Sequence, residues 1–382
     1  MPVYLDNNAT TTMPEVVVEA MLPYLTQTIG NPSSVHRFGR MSRQAIDTAR
    51  GQLAELVNAE PSQIVFTSGG TEANNLAIIG SCRQWPVARL AISAIEHPSV
   101  IEPAEYMQQA GWQLDEIKVT EQGLVSQNEF KNALTKDTRL VSVMQANNET
   151  GVIQDLGPLV EMARANNTWF HSDASQAAGK IEVDIQQCPV HLMTLSSHKM
   201  YGPRGAGAIV IDKSIEISPI VYGGGQEKNL RSGTENIAAI VGFGAAAELA
   251  KKELNNRYTQ LLAMREQLEL GLNTIPGVTI FAEQAKRIPN TTLFAVEGIQ
   301  GDALLMLLDK KGFAVSSGSA CHSSKTEASH VLKAMGVDDR TGVGAIRVSL
   351  GVQNTIAEVE QFIAALKDVL QTLRPNLSLN VN

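Results

Sequence analysis

The chain has 382 residues, 43% of them apolar and 18% charged, with a formal net charge of −8 at pH 7. That length favours two domains with a large buried interior, and the composition excludes a disordered chain. An acidic balance without runs of like charge gives no footprint for a nucleic-acid backbone or anionic lipid, and no apolar stretch approaches the roughly 18 residues of a membrane span.

The first residues, "MPVYLDNNATT", have neither the basic start nor the apolar centre of a signal peptide, so a cytoplasmic protein is expected. From about 60 to 215 short β-branched runs alternate with helical stretches: "QIVFTS" then "TEANNLAIIGSC", "RLAISAI" then "PSVIEPAEYMQQAG", "RLVSVMQA" then "LGPLVEMARANN". This alternation predicts a parallel sheet covered by helices on both faces. Strands "TWFHSDAS", "LMTLSS" and "GAIVID" follow. Residues 236 to 273 then form one Ala-rich amphipathic segment, read either as a bridge to a second domain or as a long surface helix. Beyond Pro276, "GVTIFA", "NTTLFAVE", "DALLMLLDKKGF", "AIRVSLG" and "TIAEVEQFIAALKDVLQTL" mix strands with helices, as in a smaller α+β domain.

Ligands of parallel α/β sheets bind beyond the carboxyl ends of the strands, so the polar residues there are the candidates. In "IVFTSGGTEANN", Gly70 and Thr71 open a helix whose free N–H groups suit an anion; the ordinary reading is a glycine turn with Thr71 as the cap. His97 stands before the proline of "EHPSV", and Asn148 lies in "ANNETG", where amides usually serve turns. Asp173 ends an apolar strand, with Gln176 three residues on. A carboxylate there needs donors or a cation that its neighbours do not supply. In "LMTLSSHKMYGPRGAG" a single cation, Lys199, follows an apolar strand, with Ser196 and His198 beside it. Desolvation favours the neutral amine, a nucleophile toward carbonyls, although a surface turn is the ordinary reading.

Together these positions converge on one ligand. Gly70, Thr71 and Ser196 suit a phosphate, His97 a ring face, Asp173 a pyridinium nitrogen, Gln176 a phenolic oxygen and Lys199 an aldehyde. That ligand is pyridoxal 5'-phosphate.

The motifs "YLDNNATT", "GNPSSVHRFG", "FTSGGTEANN", "EHPSV", "NNETGV", "DASQAAGK", "SSHKMYGPRGAG", "GGGQEKNLRSGTEN", "SSGSAC" and "IRVSLG" run nearly end to end. In this order they resemble the cysteine desulfurases of NifS/IscS type, a class V aminotransferase group of fold-type-I pyridoxal phosphate enzymes. The resemblance implies a large domain (13–257) with a mainly parallel seven-stranded sheet. It also implies a small α+β domain (1–12 and 258–382) carrying a cysteine loop at about 316–330. It implies that Lys199 bonds the cofactor aldehyde, that His97 stacks on the ring and moves protons, and that Asn148 contacts cofactor or substrate. His198 would join the phosphate site, and Thr234 would reach it from the partner subunit of a homodimer. Arg347 would clamp the carboxylate of L-cysteine, a task for a planar bidentate donor. Cys321, in "VSSGSACHSSKTEASH", would take the substrate sulfur as a persulfide, leaving L-alanine. Where the family usually has Ser or Thr, this chain has His322.

The long cysteine loop further implies delivery of sulfur to acceptor proteins, an iron–sulfur scaffold or a thiolation protein. The competing readings are another pyridoxal-phosphate lyase or aminotransferase, which needs no protein thiol, and a non-catalytic sulfur-handling partner. Cys82 and Cys188 sit in unremarkable contexts, where cysteines are usually buried and inert, and no cysteine spacing marks a disulfide or zinc site.

Overall fold

The computed structural model describes residues 2–317 and 327–373. Its first eight strands are β1 (Val3–Tyr4), β2 (Ile64–Thr67), β3 (Arg89–Ser93), β4 (Gln113–Ile117), β5 (Thr138–Ser142), β6 (Trp169–Asp173), β7 (Leu192–Ser196) and β8 (Gly207–Ile211). All but β1 join one seven-stranded sheet in the order β2-β8-β7-β6-β5-β3-β4. Five strands run parallel, and β8 is antiparallel to both β2 and β7. The α/β class with a mainly parallel sheet is thus as the sequence predicts.

The pleat sends alternate residues to opposite faces. Ile64 and Phe66 of β2 enter one apolar core with Val141, Phe170 and the helix residues Ile46 and Leu53. Val65 enters the other, with Leu90, Ile92, Leu140 and the helix residues Ile78 and Val100. Burial on both faces explains why these strands read as unbroken apolar runs.

The chain continues through β9 (Val278–Ile280), β10 (Thr291–Val296), β11 (Phe313–Ala314), β12 (Ser316–Ser317) and β13 (Ala345–Ser349). Four of these form an antiparallel sheet, β12-β13-β10-β9, while β11 pairs in parallel with β1 at the start of the chain. The segment 236 to 273 is a single helix, Ile237–Asn273, whose N-terminus is capped by the Asn236 side chain. At 1.5 Å per residue it is about 55 Å long. Ala239, Ile240, Phe243 and Ala247 belong to a core of the seven-stranded sheet, whereas Leu261, Met264, Leu268 and Leu272 pack with the antiparallel sheet. The bridging reading of this segment therefore describes it better than a surface helix. Among the described residues no helix is long and apolar enough to cross a membrane.

The sequence reading passes over the two helices that flank the first core, Glu15–Thr26 and Arg37–Leu56. Phe243 lies against Phe66 with ring centroids 6.5 Å apart and is fully buried. Phe243→Ala is expected to cost about 3–5 kcal/mol of stability, seen as a lower urea midpoint with an unchanged slope.

Candidate active site

The carboxyl ends of β2, β6 and β7 and the loop after β5 open into one cavity of about 540 Å³. Gly70, Thr71, His97, Asn148, Asp173, Gln176, Ser196, His198, Lys199 and Arg347 all line it. Thr234 is exposed on its own protomer and does not line this cavity. Cys321 and His322 lie outside the described residues.

At the end of β2 the helix Gly70–Cys82 is capped by Gly69, so Thr71 stands in the first turn and is not the cap. A Cβ on Gly70 would come within 3.2 Å of both Ser175 Oγ and the Ser196 Cβ, so only glycine leaves this corner open. Asp173 finds one donor two residues on, which the sequence reading did not expect of its neighbours, and the other on the glycine-led helix. The Ser175 amide donates to Oδ1 (2.8 Å), and Asn74 Nδ2, from the glycine-led helix, donates to Oδ2 (2.8 Å). Both donors are neutral, and no cation pairs with this carboxyl group among the described residues. His97 caps the helix Pro98–Gln109, its Nδ1 accepting from the Ser99 amide at 3.1 Å.

Lys199 closes a 3₁₀ turn, Ser197–Lys199, directly after β7. Its Nζ donates to the carbonyls of Asn8 (2.6 Å) and Ala9 (2.8 Å), so the N-terminal segment holds the amine at the cavity wall. The next turn places Tyr201 at φ 69, a left-handed conformation that a bulky side chain rarely adopts. Thr11 Oγ1 accepts the Tyr201 N–H at 2.7 Å, and the Arg257 guanidinium lies 5.0 Å from the Tyr201 ring centroid. Those contacts hold the strained turn that aims Lys199.

Several residues to which the sequence reading gave no role complete the site. Buried Asn8 donates to Asn148 O (3.1 Å) and Thr291 Oγ1 (2.8 Å), and its carbonyl also accepts from Gln176 Nε2 (3.0 Å). Lys180, buried, donates to Gln176 Oε1 and to Asn8 Oδ1, and burial beside Lys199 and Arg347 holds its pKa well below the usual lysine value. Arg347, on β13, donates to Asn148 O (3.0 Å) and pairs with Asp6 (2.7 Å). Asn8 and Lys180 stand inside the motifs "YLDNNATT" and "DASQAAGK"; an amide pair after an apolar run, and a lysine closing a small-residue run, are their only local signals.

Among the described residues the buried atoms Asn74 Oδ1, Glu149 Oε2 and Arg347 Nε have no hydrogen-bond partner, and all three residues line the cavity. Two are oxygens and one is a guanidinium nitrogen, so a polar ligand carrying both donors and acceptors fits them. Burial pushes the Glu149 carboxyl up to about 7, against the pull of Ser329 and Arg347. Burial also lowers His198 to about 4, helped by Lys199, Arg204 and Lys180, so this ring is neutral at pH 7. Elsewhere burial raises the Cys82 thiol to about 12 and the Cys188 thiol to about 11, so neither supplies a thiolate at neutral pH.

Comparison with known proteins agrees with this geometry. The aminotransferase class-V profile matches residues 3–362. The cysteine desulfurase IscS of Methanosarcina thermophila is 41% identical over 374 residues, covering 97% of this chain and 93% of the relative. The NifS-like protein from Rickettsia africae superposes with a TM-score of 0.89 at 35% identity, over 97% of this chain and 100% of that one. A structure of SspA in complex with cysteine gives 0.80 at 29% identity, over 91% and 98%. The chain therefore belongs to the aminotransferase class-V family, whose members depend on pyridoxal phosphate. Within that family it is of the NifS/IscS cysteine desulfurase type.

Behind His97, Glu96 is fully buried. Its Oε1 accepts from Ser93 Oγ and the Met144 amide, each at 2.6 Å, and Oε2 has no partner among the described residues. Burial raises its pKa to about 8. An unfolded glutamate loses its proton near ~4.3, so this group's stabilising contribution is complete below that value and is lost as pH rises to about 8. Urea midpoints between pH ~4.5 and ~8 are expected to fall more for wild type than for Glu96→Gln, whose neutral amide has no proton to lose.

Proposed function

We propose that this chain converts L-cysteine to L-alanine and transfers the sulfur to Cys321 as a persulfide, for passage to acceptor proteins of iron–sulfur assembly or thiolation. The observation that carries the reading is the convergence of Lys199, Asp173, His97, Gln176 and Arg347 on one cavity. The donor set fits pyridoxal phosphate. The glycine-walled corner with the Gly70 and Thr71 amides, Ser196 and neutral His198 suits the phosphate. Asp173 suits the ring nitrogen, Gln176 the phenolic oxygen, and Asn148 the rim shared with substrate. When bound, the cofactor supplies an aldehyde for the substrate amine and a ring that withdraws electrons from its α-carbon.

In this reading His97 would contact the cofactor ring and Lys199 would hold its aldehyde. The Lys199 amine would also take the proton from the substrate α-carbon and return a proton to product. Arg347 receives the substrate carboxylate; Asp6 and Asn148 already occupy two of its nitrogens and fix its plane, while buried Nε remains to be satisfied. The Cys321 thiolate bonds to the substrate sulfur as the carbon–sulfur bond breaks. L-cysteine and one protein thiol thus become L-alanine and one protein persulfide. The same reading divides the chain into a large domain (13–257) and a small one (1–12 with 258–382) and puts the enzyme in the cytoplasm. Supporting the division, Asn7 and Asn8 bond to Ser349 while β1 pairs with β11.

The partner that completes the site is a second copy of the chain. Val16, Leu22, Leu25, Ile29, Val35 and Phe38 are exposed on the first two helices and the loop between them, large apolar side chains that a second copy would cover. Exposed Thr234 belongs in this reading to the partner's phosphate site.

Lys199→Ala is expected to abolish alanine production from L-cysteine, and borohydride reduction of the cofactor-loaded wild type should label Lys199. Cys321→Ser should still bind cofactor yet form no persulfide; normal sulfur release by this variant overturns the assignment. Sedimentation should show a dimer that Ile29→Asp combined with Phe38→Asp dissociates.

A further inference from the structure

Hydrogen-bond polarity can be followed from Asp173 to His97 without a gap. A carboxylate only accepts, so the Asn74 amide must turn its nitrogen, not its oxygen, toward Asp173 Oδ2. The same nitrogen lies 2.8 Å from Ser99 Oγ, to which it donates its second hydrogen. With its oxygen receiving that bond, the Ser99 hydroxyl points its own hydrogen at His97 Nδ1, 2.7 Å away. The Ser99 backbone N–H donates to the same Nδ1 at 3.1 Å as part of the helix cap. Two donors thus face one ring nitrogen, which can carry no hydrogen of its own.

We propose that Asn74 and Ser99 are positioning residues that lock His97 in the Nε2–H form, so that it meets the ligand as a fixed hydrogen-bond donor. Taking a second proton would place Nδ1–H against the Ser99 amide and break the cap of the helix Pro98–Gln109. The charged surroundings agree: burial lowers the His97 pKa, Asp173 opposes this, and Lys199 and His330 reinforce it. Glu96, the preceding residue, turns its carboxyl toward Ser93 and Met144 instead. The proposal departs from the expectation that His97 moves protons, and leaves that work at the α-carbon to Lys199. It concerns the site proposed above but rests on bond polarity within the protein, so it can fail while desulfurase activity stands, and the reverse.

The test is two-bond ¹H–¹⁵N correlation on protein labelled at its seven histidines, with the His97 signal identified by its loss in His97→Gln. Between pH about 5.5 and about 8.5, His97 is expected to show a proton on Nε2 alone. A proton on Nδ1, or protonation with a midpoint near the ordinary ~6.5, overturns the proposal. Ser99→Ala removes the hydroxyl donor and should raise the protonation midpoint of His97 toward that ordinary value. An unchanged titration in this variant removes Asn74 and Ser99 from the role. If the variant does not fold, the wild-type spectrum alone decides whether the ring is locked.

Discussion

Asn8 ties the molecule together. It is buried, and each of its polar groups is engaged: its amide N–H on Ser349 Oγ, its carbonyl under Lys199 and Gln176, its side-chain oxygen under Lys180 and Asn290, and its side-chain nitrogen on Asn148 and Thr291. A buried amide so completely satisfied can adopt one orientation only, because turning it over would set donor against donor at Lys180 and Asn290 and oxygen against oxygen at the Asn148 carbonyl. The two sheets meet at this residue, and the Lys199 amine is held by its carbonyl. The positions of Lys199, Gln176 and Arg347 relative to one another all pass through it or through Asn148 beside it.

Around that knot the site gathers ionisable groups in a largely buried cavity. Lys180, Lys199 and Arg347 gather on one side, and Asp173 stands on the other with neutral donors only. Glu96 and Glu149 keep their protons well above the usual carboxyl range. Such an arrangement costs stability unless a ligand of matching charge settles into it. A phosphate at the glycine corner, a cationic ring nitrogen at Asp173 and a substrate carboxylate at Arg347 are the charges that would balance it.

The reactive residues were legible in the sequence because each sits at a strand end marked by local punctuation: glycines before Thr71, a proline after His97, a turn after Lys199. Their supporting residues were not. Asn74 and Ser99 are ordinary helix residues until the fold brings them to Asp173 and His97, and Asn8 gains its role from partners more than 100 residues away. Strand direction was hidden as well. An apolar run such as "GAIVID" reads the same whether it lies parallel or antiparallel, so the reversal of β8 has no local signature.

The distance between partners also has a temporal meaning. Asn8 leaves the ribosome well before Ser349, which receives its amide N–H and is made 341 positions later. The parallel sheet, and the carbonyls of Asn8 and Ala9 that receive the Lys199 amine, can therefore be in place during synthesis, but their anchorage on the antiparallel sheet waits for β13. The aim of that amine is thus fixed only once Ser349 has been made.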